Sequence, residues 1–317
     1  MTPSSHEPAG WDHFFNEQLQ PADRHLLALR IDGVHRARLT GLSGTEQIEI
    51  TLPPRADTSK YAVGDWVLVD PETKLLVRLL ERRSLLKRLG EGNRPAQLVA
   101  ANVDTLFVVA SCNDDFNLAR LERYLAFANE AGTDTVLVLT KADETKDAED
   151  YKRQAASLQR GLQVVTVNSK LPDAADALAP WCEAGQTVAL VGSSGVGKST
   201  LTNTLIGSED ETQLTGSVRE ADSKGRHTTT ARSLHHMRNG GWVIDTPGIR
   251  SLHMKDLTAG LDMLFAEITE LSPSCKFRNC THDHEPGCAV RAAVEAGELD
   301  AERLARWRKL QDEANDS

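Results

Sequence analysis

The sequence predicts a multidomain α/β protein: a small β-barrel first, a mostly parallel sheet flanked by helices next, and a helical C-terminal region last. Three observations predict it. Residues 24–90 hold five short apolar or alternating runs separated by turn formers, the pattern of a small closed or partly open barrel. From residue 103 onward, continuous apolar runs alternate with stretches of helical periodicity, as buried parallel strands alternate with crossover helices. Residues 256–317 read as mainly helical, interrupted by a dense cluster of cysteines and histidines. A length of 317 residues accommodates two or three such domains.

Taken in order, residues 1–23 read as a loosely ordered arm that Trp11, Phe14 and Phe15 could anchor. The barrel strands are expected at 26–31, 34–39, 47–52, 65–69 and 75–83, with turns at Asp32-Gly33, 41–44, Pro53-Pro54 and Pro71. A polar linker at 91–97 opens the second domain, which extends to 255. Strands are expected at 103–110, 136–139, 164–167, 187–191 and 242–244, and helices at 118–130, 151–160, 173–182 and 198–206. Residues 256–317 form the third domain.

Composition excludes several classes. There is no run of 18 apolar residues, and the first ten residues lack the basic start and apolar stretch of a signal peptide. The expectation is a cytoplasmic protein without a membrane partner. A net charge of -10 argues against a protein that coats nucleic acid. Residues 24–90 nevertheless hold 12 Lys and Arg against 8 Asp and Glu, so a local nucleic-acid face is permitted.

Three motifs carry the chemistry. Gly192-Ser193-Ser194-Gly195-Val196-Gly197-Lys198-Ser199 follows an apolar strand and opens a helix, the context of a phosphate loop. Its glycines let backbone N–H groups turn around phosphate oxygens, and the helix start at Lys198, Ser199 and Thr200 adds its positive dipole end. Lys198 should reach the β and γ phosphates, and the Ser199 hydroxyl should ligate Mg²⁺. Asp245-Thr246-Pro247-Gly248 ends a later strand and fits a D-x-x-G switch, with Asp245 on Mg²⁺ and the Gly248 N–H on the γ-phosphate. Thr140-Lys141-Ala142-Asp143 fits a guanine-reading loop. The Asp143 carboxylate can accept both N–H groups of the guanine N1/N2 edge, and the Lys141 stem can pack along the base. Thr140 stands where asparagine is commoner and loses an amide that braces the loop. Ser169, in Asn168-Ser169-Lys170, sits where a base-backing loop belongs. The guanine loop comes before the phosphate loop and the switch, the reverse of the ordinary order. The domain is thus expected to be a circularly permuted guanine-nucleotide-binding domain that uses GTP, GDP and Mg²⁺.

Between phosphate loop and switch lies Gly225-Arg226-His227-Thr228-Thr229-Thr230. One threonine should reach Mg²⁺ and the γ-phosphate, Thr229 ahead of Thr228. The residue after Gly248 is Ile249, which cannot orient an attacking water as glutamine does. His227 is the in-chain candidate for that task, and slow intrinsic turnover accelerated by a partner is expected. Cys275, Cys280, His282 and Cys288 offer three thiolates and an imidazole within 14 residues, a closed structural zinc set. His282 is preferred over the neighbouring His284. Cys112 and Cys182 read as core residues.

These features together resemble the RsgA family, also called YjeQ, over about residues 24–310. Matching stretches include Ala101-Asn102-Val103-Asp104, Asp115-Phe116-Asn117-Leu118 and Glu285-Pro286-Gly287-Cys288-Ala289-Val290. The resemblance implies an OB-fold N-terminal domain that binds 16S rRNA, GTP hydrolysis stimulated by the 30S ribosomal subunit, and a role late in small-subunit maturation. It implies no DNA partner and a monomer off the ribosome. In the family the histidine matching His227 is proposed to position the water. Arg36, Arg38, Arg78, Arg82, Arg83, Lys87 and Arg88 are expected to contact RNA, with Arg303, Arg306, Arg308 and Lys309 as a second face. The alternatives are a P-loop ATPase or kinase, a nucleotide-binding RNA-associated zinc scaffold, and a permuted GTPase acting elsewhere than on the 30S subunit.

Overall fold

A computed structural model describes residues 10–44, 46–88, 96–207, 233–245 and 257–315. The first sheet holds β1 (Leu27–Val34), β2 (Leu39–Ser43), β3 (Glu46–Ile50), β4 (Trp66–Val69) and β5 (Leu76–Leu79) in the order β3-β2-β1-β4-β5. Every neighbouring pair is antiparallel. A parallel bridge between Thr51 and Leu75 joins the two outer strands. There the Thr51 N–H donates to the Lys74 carbonyl at 3.0 Å and the Leu76 N–H donates to Thr51 at 2.8 Å. The sheet is thereby closed into the five-stranded OB-type barrel, which removes its free edges. Leu29, Ile31, Leu39, Ile50, Val67 and Val69 fill its interior.

The turn expected at Asp32-Gly33 lies inside β1 instead, and the one expected at 41–44 narrows to Gly44 because β2 runs through 43. β1 runs through Asp32 and Gly33, and β2 contains Gly41. A Cβ at Gly33 would stand 2.6 Å from the Thr40 hydroxyl, and one at Gly41 would stand 3.1 Å from the Leu29 Cβ. These glycines permit close packing across strands rather than reversal of the chain. The reversals fall at 35–38, where the His35 N–H donates to Arg38, and at Gly44. Within the arm, the described residues from Gly10 on hold an aromatic anchor. Asp12 caps α1 (His13–Asn16) through the Phe14 N–H, and Trp11 and Phe15 are buried against Trp66. The Trp11 and Trp66 rings meet edge to face at 4.9 Å, an arrangement that adds to the burial of so much apolar area.

β6 (Leu85–Arg88) pairs with β7 (Gln97–Ala101) as a separate antiparallel hairpin. Gln97 is therefore strand rather than linker, and residues 91–95 lie outside the described residues. The second sheet contains β8 (Thr105–Ser111), β9 (Asp134–Thr140), β10 (Gln163–Thr166), β11 (Thr187–Val191), β12 (Ser233–His236) and β13 (Trp242–Asp245). Its order is β10-β9-β8-β11-β13-β12, parallel except for the β12–β13 pair. The flanking helices are α2 (Leu118–Ala131), α3 (Ala148–Ala156), α4 (Asp173–Ala177) and α5 (Lys198–Ile206). Asn117 caps α2 through the Arg120 N–H at 2.9 Å, and Gly132 ends it in the left-handed region. The helix expected at 173–182 breaks after Ala177 into a short 3₁₀ turn over Ala179–Trp181. Pro180 is the cause, because it lacks the N–H a continuing helix needs.

The C-terminal region holds α6 (Thr258–Leu264), α7 (Ala266–Leu271), α8 (Ala289–Glu295) and α9 (Ala301–Asn315). It docks on α2. A Cβ at Gly260 would stand 2.0 Å from the Ala126 carbonyl oxygen, so the two backbones touch. The buried Glu122 carboxylate accepts from Arg303 at 2.8 Å and Arg306 at 2.9 Å. The Arg303 guanidinium also lies 4.0 Å from the centre of the Phe265 ring. One apolar core runs from Trp11 and Trp66 through α2 to Val290 and Leu304. Among the described residues no helix is long and apolar enough to cross a membrane.

Candidate functional site

The phosphate loop lies between fully buried β11 and α5. Gly192, Gly195 and Gly197 have φ of 144°, 82° and 95°, so the loop bends where only glycine turns without strain. At Gly192 there is a second reason: a Cβ would stand 2.2 Å from the Val109 carbonyl oxygen of β8. The Lys198 ammonium donates to the carbonyls of Gly192, at 2.8 Å, and Ser193. Ser194 and Gly195 form the turn after Ser193, Val196 and Gly197 bend into the helix, and Lys198, Ser199 and Thr200 open it. Val196 is buried.

The guanine-type loop meets this loop. β9 ends at Thr140, whose buried hydroxyl lies 2.6 Å from the Val196 carbonyl and 3.2 Å from that of Ala110. Thr140 therefore braces the phosphate loop itself: the amide of the commoner asparagine is absent, but a short hydroxyl reaches because the loops are in contact. Lys141 has a left-handed φ of 56°, which swings Asp143 into an exposed turn. Ser169 is buried beside Gly197, and its carbonyl accepts from Thr204 of α5 at 2.8 Å. Thr204 escaped the sequence reading because nothing local marks it.

Asp245 ends β13 opposite Ser233 of β12. Burial raises its carboxyl above the ordinary value, while His235 and Lys198 nearby pull the other way. His235, which no motif marks, is held low by burial against the influence of Asp245 and Asp32. Its Nε2 lies 2.7 Å from the Ser233 hydroxyl. His227, Thr228, Thr229 and Gly248 lie outside the described residues.

The second centre is the Cys/His knuckle. The donor atoms of Cys275, Cys280, His282 and Cys288 all lie within 4.8 Å of one another. Cys275 and Cys288 sulfurs are 3.9 Å apart, and the His282 Nδ1 is 3.5 and 3.4 Å from them. A tetrahedral zinc with Zn–S near 2.3 Å calls for S···S edges of roughly 3.8 Å, so the residues fit the ion. The Ser272 hydroxyl donates to the Ile268 carbonyl at 2.8 Å and lies 3.1 Å from the His282 Nε2. It therefore accepts the Nε2 proton, which leaves the Nδ1 lone pair facing the thiols. His284 is exposed and turned to Asp283, so the structure assembles His282 and leaves His284 out. The Glu285 carboxylate accepts from the Thr281 N–H and hydroxyl at 2.8 and 2.6 Å, and those bonds hold it well below the usual carboxylate range.

Several arginines expected to meet RNA are engaged within the protein. Arg78 pairs with Asp23, Arg82 with buried Asp65, and Arg83 with Asp12 and Asp104. Arg303 and Arg306 hold Glu122, and Arg308 holds Asp283. Arg36, Arg38, Lys87 and Lys309 are exposed.

The sequence profile of the RsgA GTPase family matches residues 79–255. Over 305 residues the chain is 64% identical to the small ribosomal subunit biogenesis GTPase RsgA of Mesorhizobium japonicum, covering 96% of this chain and 88% of that protein. It is 50% identical to RsgA 2 of Vibrio vulnificus over 303 residues, covering 95% and 85%. The crystal structure of YloQ, a circularly permuted GTPase, superposes with a TM-score of 0.64 at 29% identity, covering 94% of this chain and 98% of that one. YjeQ from Thermotoga maritima superposes at 0.65 with 25% identity, covering 91% and 98%. A phosphate loop and guanine-type loop joined in permuted order, with these relatives, place the chain in the RsgA family of circularly permuted GTPases.

Proposed function

We propose that this GTPase acts on the 30S ribosomal subunit as a late maturation factor in the cytoplasm, with 16S rRNA as part of its docking surface and hydrolysis stimulated by the subunit. The observation that carries the reading is the Thr140–Val196 bond, which makes one site of two loops. It occurs in a chain 64% identical to a protein named for small-subunit biogenesis. The proposed division is an arm over 1–23, an RNA-binding barrel over 24–90, the GTPase domain over 91–255 and the zinc domain over 256–317.

In this reading Asp143 accepts the guanine N–H pair, Lys141 flanks the base and Ser169 backs it. The backbone from Gly192 to Thr200 surrounds the phosphates, and Lys198 leaves its loop carbonyls for the β and γ oxygens. Ser199 and Asp245 hold the magnesium, which supplies charge neutralisation when bound. Thr229 or Thr228 and the Gly248 N–H sense the γ-phosphate, and His227 orients the water. Cys275, Cys280, His282 and Cys288 hold one structural zinc, whose closed set leaves no open position for catalysis. Measuring GTP and ATP hydrolysis with and without purified 30S subunits tests the reading. GTP-selective turnover that rises with subunits is expected; turnover indifferent to them sinks it.

A further inference from the structure

Among the described residues Phe277 is the only aromatic among the large apolar side chains left exposed, at 41%. It sits between two of the four zinc-type ligands, in Cys275-Lys276-Phe277-Arg278-Asn279-Cys280. The tip is held in shape by its backbone. The Lys276 N–H donates to the Gly287 carbonyl at 3.0 Å, and the Cys280 N–H donates to Phe277 at 3.3 Å. Lys276, Arg278 and Asn279 are all exposed, and the Lys276 ammonium lies 5.5 Å from the centre of the Phe277 ring. Neither Lys276 nor Arg278 forms an ion pair among the described residues, unlike Arg78, Arg82, Arg83, Arg303, Arg306 and Arg308. The acidic groups of the knuckle are turned to other work: Glu285 accepts from the backbone at 281, 283 and 284, and Asp283 faces Arg308.

A lone exposed apolar side chain is ordinary on a protein surface. Phe277 differs from the other exposed apolar side chains in being aromatic and in standing between two exposed cations. A rigid aromatic face between two unpaired cations matches one partner chemistry well. Unpaired RNA bases stack on aromatic faces while flanking cations meet the phosphates. Resting on the 30S reading above, we propose that the Lys276-Phe277-Arg278 tip is an RNA contact in which Phe277 stacks on an unpaired base and the two cations neutralise adjacent phosphates.

The test uses the full chain with zinc bound, against purified 30S subunits and a single-stranded RNA oligonucleotide of mixed sequence. Phe277→Ala should weaken binding to both on the order of tenfold, with zinc content and basal GTP hydrolysis unchanged. Phe277→Trp should restore binding, and its added fluorescence should be quenched when RNA binds. Phe277→Leu should not restore it. Replacing Lys276 and Arg278 by Gln should make the salt dependence shallower by about two phosphates. Unchanged binding by Phe277→Ala overturns the proposal and leaves the 30S reading intact. Full rescue by leucine, without tryptophan quenching, overturns it in favour of an apolar protein contact. Failure of the unsubstituted protein to bind 30S subunits overturns both readings.

Discussion

The Thr140 hydroxyl donates to the Val196 carbonyl across 2.6 Å, fastening the end of β9 to the phosphate loop. Thr140→Val keeps the shape and removes the donor. It leaves a buried carbonyl with one partner fewer, at a cost of about 1 kcal/mol. The expected outcome is nucleotide affinity lower by roughly fivefold, read by titration with a fluorescent guanine nucleotide. Unchanged affinity would show that the two loops are held together by other contacts.

Glu122 and Arg303 tie α2 to α9 in the protein interior. Without the Glu122 charge, buried Arg303 keeps only the partly exposed Glu267 and Arg306 only the exposed Glu302, so Glu122→Gln should lower unfolding free energy by about 3 kcal/mol. Denaturant melts measure it. A loss below about 1 kcal/mol would mean the pair behaves as a surface pair despite its burial.

Ser272 orients the His282 ring by taking its Nε2 proton. Ser272→Ala should weaken zinc binding by about 10–100-fold, measured by competition with a chromophoric chelator. His284→Ala should leave the affinity unchanged, because His284 faces away. Equal effects from the two variants would contradict the ligand assignment.

His235 carries a pH dependence of determinate sign. Burial holds its imidazole below the ordinary 6.5, with Asp245 and Asp32 opposing. The unfolded chain therefore binds the proton first as the solution is acidified. The contribution to stability is complete above about pH 6.5 and is lost as pH falls from there toward the folded value. His235→Gln should flatten this acid limb in urea melts run across pH. An identical slope in both proteins would remove His235 from the account.

Local signals were legible in the sequence, and pairings between distant residues were not. The phosphate loop, β11 and α5 were readable because glycine spacing, apolar run and helix follow one another directly. Gly33 and Gly41 misled, since a glycine that admits a neighbouring strand looks the same in sequence as one that turns the chain. In the arm, Trp11 and Phe15 were legible as anchors, but their partner Trp66 was not, being remote along the chain. Arg82 and Arg83 looked like a basic face because Asp65, Asp12 and Asp104 are remote along the chain. Ser272 and Thr204 left no trace, as each acts through a contact that exists only after folding.

The close approach of Gly260 to α2 also bears on how the protein is made. The Gly260 N–H donates to the Glu130 carboxylate, 130 residues earlier in the chain. During synthesis α2 emerges long before the segment that covers it. At ~5–20 residues per second the ribosome takes roughly ten seconds to supply that cover. For that interval the nascent α2 carries an uncovered apolar face. Chains truncated before residue 257 should accordingly depend on chaperones and aggregate, even though both nucleotide loops are already complete.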